Sequence, residues 1–160
     1  MIDHVRWSIE ELLARYDLEP ELADVFVEGS FDKEILSEVF SNLSRETAFY
    51  EIDTVNVPPD VLARYGLTSG NKQRVIALSR ELESLNNNAR VRCLIDRDLD
   101  HWFDEIKDTA HLRWTQFCAL ESHFISAEIV KNLVIKTASA KVTDAGTLVE
   151  SLFDVLKSLY

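Results

Sequence analysis

The sequence has few cysteines and no long apolar run, and each shortage excludes a class of protein. Cys93 and Cys118 lie in apolar sequence without metal-ligand spacing, so both are predicted to be buried thiols rather than a disulfide or a zinc site. No apolar stretch approaches the roughly 20 residues of a membrane span. The N-terminus lacks a basic segment followed by an apolar one, so we expect no secretory signal and predict a cytoplasmic protein.

Positive charge is also scarce, which at first argues against a nucleic-acid partner. The 160 residues carry 17 Lys and Arg against 28 Asp and Glu, a formal net charge of −11, whereas binding to a polyanion usually relies on a basic surface. The cations are concentrated in residues 61–100, where they fit either a substrate backbone or ordinary solvated helix and loop charges. Six of them form what we call the basic block: Lys72, Arg74, Arg80, Arg90, Arg92 and Arg97.

No Gly/Ser linker, internal repeat or low-complexity tract interrupts the chain, so residues 1–160 are predicted to form a single domain with its core at about 22–134. Short apolar runs alternate with amphipathic segments, which favours an α/β domain with a mainly parallel four-stranded sheet flanked by helices. Strands are predicted at 24–27, 49–57, 91–95 and 114–117. Helices are predicted at 8–16, 32–43, 71–85, 121–134 and 144–159, with a loop at 58–70.

The apolar stripe of the last helix, within residues 143–160, either closes the core or docks on a partner.

Two acidic motifs follow apolar strands, at the position where ligands gather in parallel sheets. Glu28 follows Val25-Phe26-Val27, and Asp96-Arg97-Asp98-Leu99-Asp100 follows residues 91–95. An anion directly after a buried strand is costly unless a cation balances it. Alternation along an extended chain predicts that Asp96 and Asp98 point to one side, that Asp100 extends this set, and that Arg97 points away. Carboxylates converging from two strands suit Mg²⁺.

A metal held by these carboxylates would polarise a phosphoryl oxygen and bind the attacking water, so the residues predict hydrolysis of phosphodiester bonds. Gly29 is predicted to form a tight structural turn after Glu28 and to let a phosphate approach, because it has no Cβ. Three cations are candidates for contact with phosphate or nucleic acid: Lys72, Arg97 and Lys33.

The segment Val25-Phe26-Val27-Glu28-Gly29-Ser30-Phe31-Asp32 and the later Leu94-Ile95-Asp96-Arg97-Asp98-Leu99-Asp100 together resemble the TOPRIM domain of topoisomerases, primases and OLD-type nucleases. The chain is similar in particular to TOPRIM proteins of the AriB type, which are encoded beside ATPases in PARIS antiphage defence systems. There, a Leu-Glu pair and a Gly-x-Lys segment also recur, matched here by Leu120-Glu121 and Gly70-Asn71-Lys72. The resemblance covers about residues 22–134.

This resemblance implies a metal-dependent nuclease using Mg²⁺ or Mn²⁺, in which Glu28, Asp96 and Asp98 are catalytic and bind the metal. Asp100 and Glu121 would be auxiliary metal ligands. The substrate would be DNA or RNA, the biological role that of a toxin effector in bacterial antiphage defence, and the partners an ABC- or AAA-type ATPase or further copies of the chain. Proteins of this kind continue with a helical C-terminal part, so we expect a shortened relative or a truncated chain.

Two alternatives stay open. An apolar strand followed by Asp-x-Asp also begins phosphatases that use the first Asp as a nucleophile, although those usually have Thr or Val where this chain has Asp100. A non-catalytic regulatory module that binds a partner ATPase would account for the strong acidity. Weaker candidates are His101 for catalysis and Trp102 and Trp114 for base stacking.

Overall fold

The computed structural model describes residues 6–41, 47–85, 89–100, 108–124, 126–138 and 143–159. The chain divides into two compact units, one ending at Cys118 and one beginning at Ala119. Among the described helices, none is long and apolar enough to cross a membrane. The assignment of the whole chain to a single domain stays a prediction.

The first unit is an α/β structure built on parallel strands. In chain order the strands are β1 (Trp7–Ser8), β2 (Val25–Val27), β3 (Phe49–Glu51), β4 (Val55–Asn56), β5 (Arg92–Ile95) and β6 (Leu112–Trp114). Four of them form one parallel sheet in the order β3-β2-β5-β6, and β1 pairs in parallel with β4. The predicted four-stranded parallel sheet is confirmed. Its strands all end at one edge, which we call the carboxyl edge.

Four helices of this unit lie wholly within the described residues: α1 (Ile9–Leu18), α2 (Ser30–Phe40), α3 (Pro59–Arg64) and α4 (Asn71–Leu82). The first begins at a capping box, in which the Ser8 hydroxyl accepts from the Glu11 amide and the Glu11 carboxylate accepts from the Ser8 amide. The predicted loop at 58–70 is wrong in its first half, because Pro59 begins α3. Proline suits the first position of a helix, where its missing N–H is not needed.

Two predicted strands have different bounds in the structure. Residues 49–57 form β3 and β4 with a 3-10 turn at Ile52–Thr54 between them, and this turn carries the chain from one sheet to the other. The strand predicted at 114–117 is β6, which ends at Trp114. The Thr115 amide still donates to the Ile95 carbonyl of β5, and the Thr115 hydroxyl accepts from the Arg97 amide and donates to the Phe117 carbonyl, a local bond beyond the ladder.

The core of the first unit lies around β2 and β5, with α1 and α4 packed over them. Each fully buried aliphatic or aromatic side chain contributes about 1.5–3 kcal/mol. The largest are Leu12, Tyr16, Phe26, Ile52, Leu78, Leu82 and Ile95. Cys93 belongs to this core, and burial raises the pKa of its thiol. Cys118 is exposed, so the prediction of two buried thiols is wrong for that residue.

The second unit is helical. A 3-10 helix at Leu120–Phe124 is followed by α5 (Ala127–Ala138) and α6 (Ala145–Leu159), which pack against each other. The predicted helix at 121–134 is therefore interrupted before Ala127, where the Ser126 hydroxyl accepts from the Ile129 amide and caps α5. The predicted last helix is confirmed, and Asp144 caps it by accepting from the Gly146 and Thr147 amides.

Candidate metal and phosphate site

The candidate site lies where the strand order of the sheet reverses. From β2 the chain crosses to β3 on one side, and β5 then pairs on the opposite side of β2. In open parallel sheets, ligands bind outside the carboxyl ends of the two strands that flank such a reversal. Those two strands are β2 and β5, and they are followed by Glu28 and Asp96. The fold thus brings the two predicted motifs to one place.

Glu28 and Asp96 are in direct contact across 68 positions of sequence. The Asp96 amide donates to Glu28 Oε1 over 3.1 Å. Burial raises the pKa of the half-buried Glu28 carboxyl to about 7, and the charges of Asp96 and Asp98 raise it further. The Asp96 amide and the Lys72 charge act in the opposite direction without overcoming burial. Glu28 is therefore an anion that its protein surroundings compensate only in part.

Asp98 and Asp100 are positioned by a turn, and the predicted strand alternation is wrong. The strand ends at Ile95, and Asp98 has a φ of 48°, in the left-handed region that Asp tolerates better than most residues. The Asp98 amide donates to the Cys118 carbonyl over 2.7 Å, and the Asp100 amide donates to the Arg97 carbonyl over 3.1 Å. These hydrogen bonds fold the acidic segment back on itself, so extended geometry does not apply after Asp96.

Lys72 lies between the two carboxylates that this turn presents. Its Nζ is 2.7 Å from Asp98 Oδ2 and 2.7 Å from Asp100 Oδ2. It also lies 5.3 Å from the centroid of the Trp114 ring, within cation–π range. Burial lowers the pKa of Lys72, but the hydrogen bonds to Asp100 and Asp98 outweigh burial and leave it raised. The predicted phosphate ligand thus serves, in this structure, as the counter-ion of the acidic segment.

The first turn of α4 places Lys72 there, and sequence reasoning missed its neighbour. The Asn71 side-chain amide donates to the Glu28 carbonyl over 2.8 Å, which ties the start of α4 to the end of β2. Gly70 before it has a φ of 125°, a conformation that side chains other than glycine rarely adopt. The Gly-Asn-Lys segment therefore positions the site. Gly70 allows the backbone conformation that begins α4, Asn71 ties α4 to the end of β2, and Lys72 supplies the positive charge.

Gly29 lies in a bend between β2 and α2, but its backbone is extended rather than left-handed. Its φ of −144° and ψ of 172° are ordinary extended values, and a Cβ there would meet nothing nearer than Asp32 Oδ2 at 3.9 Å. It is the residue that precedes α2, and its amide donates to the Asp32 carboxylate over 3.2 Å. A local cap, rather than a need for left-handed geometry, accounts for the backbone at this position.

The donor set can be compared with what a divalent cation needs. Carboxylate oxygens are hard ligands of the kind that Mg²⁺ prefers, and several lie at the carboxyl edge. One of these carboxylates is the half-buried Glu28, whose charge its neighbours compensate only in part. Across the part of the chain that the structure describes, however, no three His, Cys, Asp or Glu side chains are grouped closely enough to enclose an ion. Asp98 and Asp100 are instead paired with Lys72. Metal binding by Glu28, Asp96 and Asp98, with Asp100 beside them, therefore stays a prediction and would require these side chains to move closer together.

The other predicted site residues have varied surroundings. Lys33 Nζ is 3.5 Å from Glu51 Oε1. Arg97 is half-buried, and its Nε has no hydrogen-bond partner among the described residues. Glu121 is exposed in the 3-10 helix of the second unit, so its role as a ligand stays a prediction. His101 and Trp102 lie outside the described residues.

Several cations of the basic block hold the backbone together. Arg74 donates to the Ile52 and Val55 carbonyls around the 3-10 turn and pairs with Asp53 at 2.6 Å. Arg80 donates to the Tyr65 carbonyl, and Arg92 donates to the Ala89 and Val91 carbonyls. These three guanidinium groups stabilise loops and strand ends, a role that neither interpretation of the basic block predicted.

Comparison with known proteins adds no family to this description. A scan of protein-family models matches none of them to the chain, and a search of curated proteins finds no significant match. The likeness to TOPRIM domains therefore stays a prediction that depends on the two acidic motifs.

Proposed function

We propose that this chain is a metal-dependent, TOPRIM-like nuclease that hydrolyses phosphodiester bonds of nucleic acid. The observation that carries the proposal is the contact between Glu28 and Asp96 at the reversal of strand order. A half-buried carboxylate whose pKa is raised to about 7 is a common feature of functional sites, because an isolated buried anion only destabilises the fold. Hydrolysis of a phosphodiester also needs further metal ligands and a cation for the phosphate. The acidic segment after β5 and Lys72 are suited to these two roles.

Glu28 is suited to accept the proton of the attacking water. A general base works best when its pKa lies near the operating pH, and burial holds the pKa of Glu28 at about 7. The hydrogen bond from the Asp96 amide fixes the carboxylate at the end of β2. Alternatively, Glu28 would hold the metal with Asp96 and Asp98, and the charge of the cation would then lower the pKa of its carboxyl. A bound Mg²⁺ or Mn²⁺ would polarise the phosphoryl oxygen and lower the pKa of a water.

Lys72 is suited to neutralise a phosphate oxygen of the substrate. Its ion pairs go to Asp98 and Asp100, whose side chains are 57% and 40% exposed, although the Lys72 side chain is only 16% exposed. The two exposed carboxylates can turn to solvent and leave the ammonium to a phosphate, which also carries negative charge. The motif resemblance adds to the proposal an ATPase partner, antiphage defence as the setting, and Asp100 and Glu121 as auxiliary ligands.

The test is a cleavage assay on DNA, tRNA and total RNA with Mg²⁺ or Mn²⁺, comparing the unmodified chain with Glu28→Ala. We expect Glu28→Ala to lower the rate about 10²- to 10⁴-fold, the range typical of a lost general base. Glu38→Ala, which removes an exposed carboxylate from α2, serves as the control and should cleave normally. Absence of metal-dependent cleavage under every condition, or equal cleavage by Glu28→Ala, would contradict the proposal.

A second candidate is a regulatory module that binds an ATPase without cutting nucleic acid. Lys72 neutralises Asp98 and Asp100 in the structure, which is the arrangement expected of a site with a purely structural role. This candidate predicts that the chain co-purifies with an ATPase and that the complex also cleaves neither DNA nor RNA. Cleavage by the complex that disappears with Glu28→Ala would exclude it.

A further inference from the structure

A second recess lies beside the candidate site in the first unit. This cleft has a volume of about 450 Å³ and combines aromatic, basic and acidic side chains. Residues that line it include Arg6, Trp7, Lys33, Tyr50, Glu51 and Asp53. Only Lys33 among them belongs to the predicted site, so the cleft is a feature that the acidic motifs do not explain.

The cleft lies along the carboxyl edge, on the side of Glu28 away from Asp96. Glu51 ends β3 and pairs in register with Val27, the residue before Glu28. Because β3 and β5 flank β2 on opposite sides, the ends of β5, β2 and β3 follow one another along this edge. A nucleic-acid strand that crosses Asp96 and Glu28 would therefore next meet Glu51 and the cleft.

Trp7 provides the cleft with a supported aromatic surface. Its side chain is 40% exposed, although it lies in β1. The Arg15 guanidinium lies 5.6 Å from the Trp7 ring centroid and is itself fixed by an ion pair of 3.2 Å to the buried Asp24. A nucleobase stacked on an aromatic side chain is worth about 1–3 kcal/mol. An exposed indole that contacts a fixed guanidinium is well suited to such stacking.

Arg6 and Lys33 give the cleft its positive charge. Arg6 is exposed and forms no ion pair with any residue that the structure describes. Lys33 pairs with Glu51 at 3.5 Å, a long contact for which its side chain remains 37% exposed. Such a pair contributes little, so both cations can turn to a phosphate. The chain has a net charge of −11, and three of the six cations of its basic block are bound to backbone carbonyls, so Arg6 and Lys33 are among the few cations open to a polyanion.

We propose that this cleft binds one nucleotide unit of a nucleic-acid strand, with the base on Trp7 and the phosphate between Arg6 and Lys33. Glu51 and Asp53 can only accept hydrogen bonds when ionised, so they suit sugar hydroxyls or base amino groups and disfavour phosphate on their side. The cleft's place beside a cleaved phosphodiester rests on the proposed nuclease function. Its affinity for a nucleotide unit does not.

The experiment measures binding without cleavage. Single-stranded 5′-phosphorylated oligonucleotides of one sequence, in ribose and deoxyribose forms, are titrated with the full chain in EDTA, and fluorescence anisotropy gives the Kd. We expect Trp7→Ala to weaken binding about tenfold, the effect of losing one stacked base. Trp7→Phe, which keeps an aromatic ring in β1, should retain most of the affinity. Leu18→Ala removes a side chain that is 82% exposed and should change nothing.

A second variant leaves β1 unchanged, so it tests the cleft even if substitution of Trp7 disturbs that strand. Arg6→Gln combined with Lys33→Gln should weaken binding to both sugar forms and should reduce the slope of log Kd against log salt by about 1 to 2. A 5′-mononucleotide should bind more weakly than the oligonucleotide, since the strand also crosses the carboxyl edge. Equal affinity for the mononucleotide would overturn the proposal of a strand.

Failure of this proposal can be told apart from failure of the nuclease. If the oligonucleotides do not bind, or bind the Trp7→Ala and double variants as well as the unmodified chain, the cleft proposal is overturned. In that case, cleavage that is lost in Glu28→Ala would still support the nuclease proposal. If binding depends on Trp7 and the two cations while no metal-dependent cleavage is found, the nuclease fails and the cleft stands.

Discussion

The strand β2 has a carboxylate at each end, Asp24 before it and Glu28 after it, and the fold provides for them differently. Asp24 is 3% exposed, accepts a hydrogen bond of 2.9 Å from the Tyr16 hydroxyl and pairs with Arg15 at 3.2 Å. Glu28 has one amide hydrogen bond and a lysine whose close contacts are to other carboxylates. The more deeply buried anion is thus the better compensated one.

This difference indicates which of the two acids, Asp24 or Glu28, is the better candidate for a functional residue. Tyr16 and Arg15 lie on α1, which packs directly against this end of the sheet, so Asp24 is satisfied within the fold. Burial and the neighbouring Asp24 charge together raise the pKa of the Tyr16 hydroxyl, which keeps it a hydrogen-bond donor. At the carboxyl edge, the raised pKa of Glu28 marks a group that favours a proton or an external cation.

The largest expected effect comes from removing the satisfied acid. Asp24→Ala should lower the free energy of unfolding by about 4 kcal/mol, since it leaves the Tyr16 hydroxyl without its acceptor and Arg15 without its partner. Urea denaturation at pH 7 measures this change. Asp24→Asn, which keeps an acceptor for Tyr16, should cost less. A loss below about 1 kcal/mol for Asp24→Ala would show that the network contributes little to stability.

Next in size is the effect of neutralising the unsatisfied acid. Folding raises the pKa of Glu28 from 4.5 to about 7, so the folded state binds a proton more tightly than the unfolded state does. The stability due to that proton is present below about pH 4.5 and is lost as the pH rises through 7. Glu28→Gln escapes this loss, and in EDTA at pH 8 we expect it to be more stable than the unmodified chain by about 2 to 3 kcal/mol.

The pH profile provides the check on this second effect. Urea denaturation of both chains between pH 4 and 8 should give stabilities that nearly coincide at the acid end, separate between about pH 4.5 and 7, and keep a constant difference above pH 7. Glu38→Gln, an exposed carboxylate on α2, should follow the unmodified chain throughout. Parallel curves for Glu28→Gln and the unmodified chain would mean that the Glu28 carboxylate is not destabilised in the fold.

The smallest effect concerns the counter-ion. Lys72→Met removes the cation that pairs with Asp98 and Asp100, so we expect Mg²⁺ to bind about tenfold more tightly at pH 8, equivalent to about 1.4 kcal/mol. Isothermal titration calorimetry measures the affinity. Arg64→Met changes the net charge equally at an ion pair with Glu81, and should leave Mg²⁺ affinity unchanged. Weaker binding by Lys72→Met would show that Lys72 does not compete with the metal.

Much of the carboxyl edge could be predicted from local pattern. Apolar runs at residues 24–27 and 91–95 predict buried parallel strands, and parallel strands end on one edge, so the proximity of Glu28 and Asp96 follows. The arrangement of Asp98 could not be predicted, because it depends on a hydrogen bond from its amide to the Cys118 carbonyl, 20 residues later. The contacts of Arg74 with the 3-10 turn depend likewise on tertiary packing.

The sequence by itself determined the α/β class, the main strands and the acids that follow them, because alternating apolar periodicity and the parallel arrangement leave few other ways to bury these segments. Only the tertiary structure decided which charges are compensated. Asp24 and Glu28 differ little in their local sequence, since each adjoins the same three apolar residues. Their partners come from α1, from the residue after β5 and from α4, and a carboxylate's electrostatics depend on the groups that the fold places within a few ångströms of it.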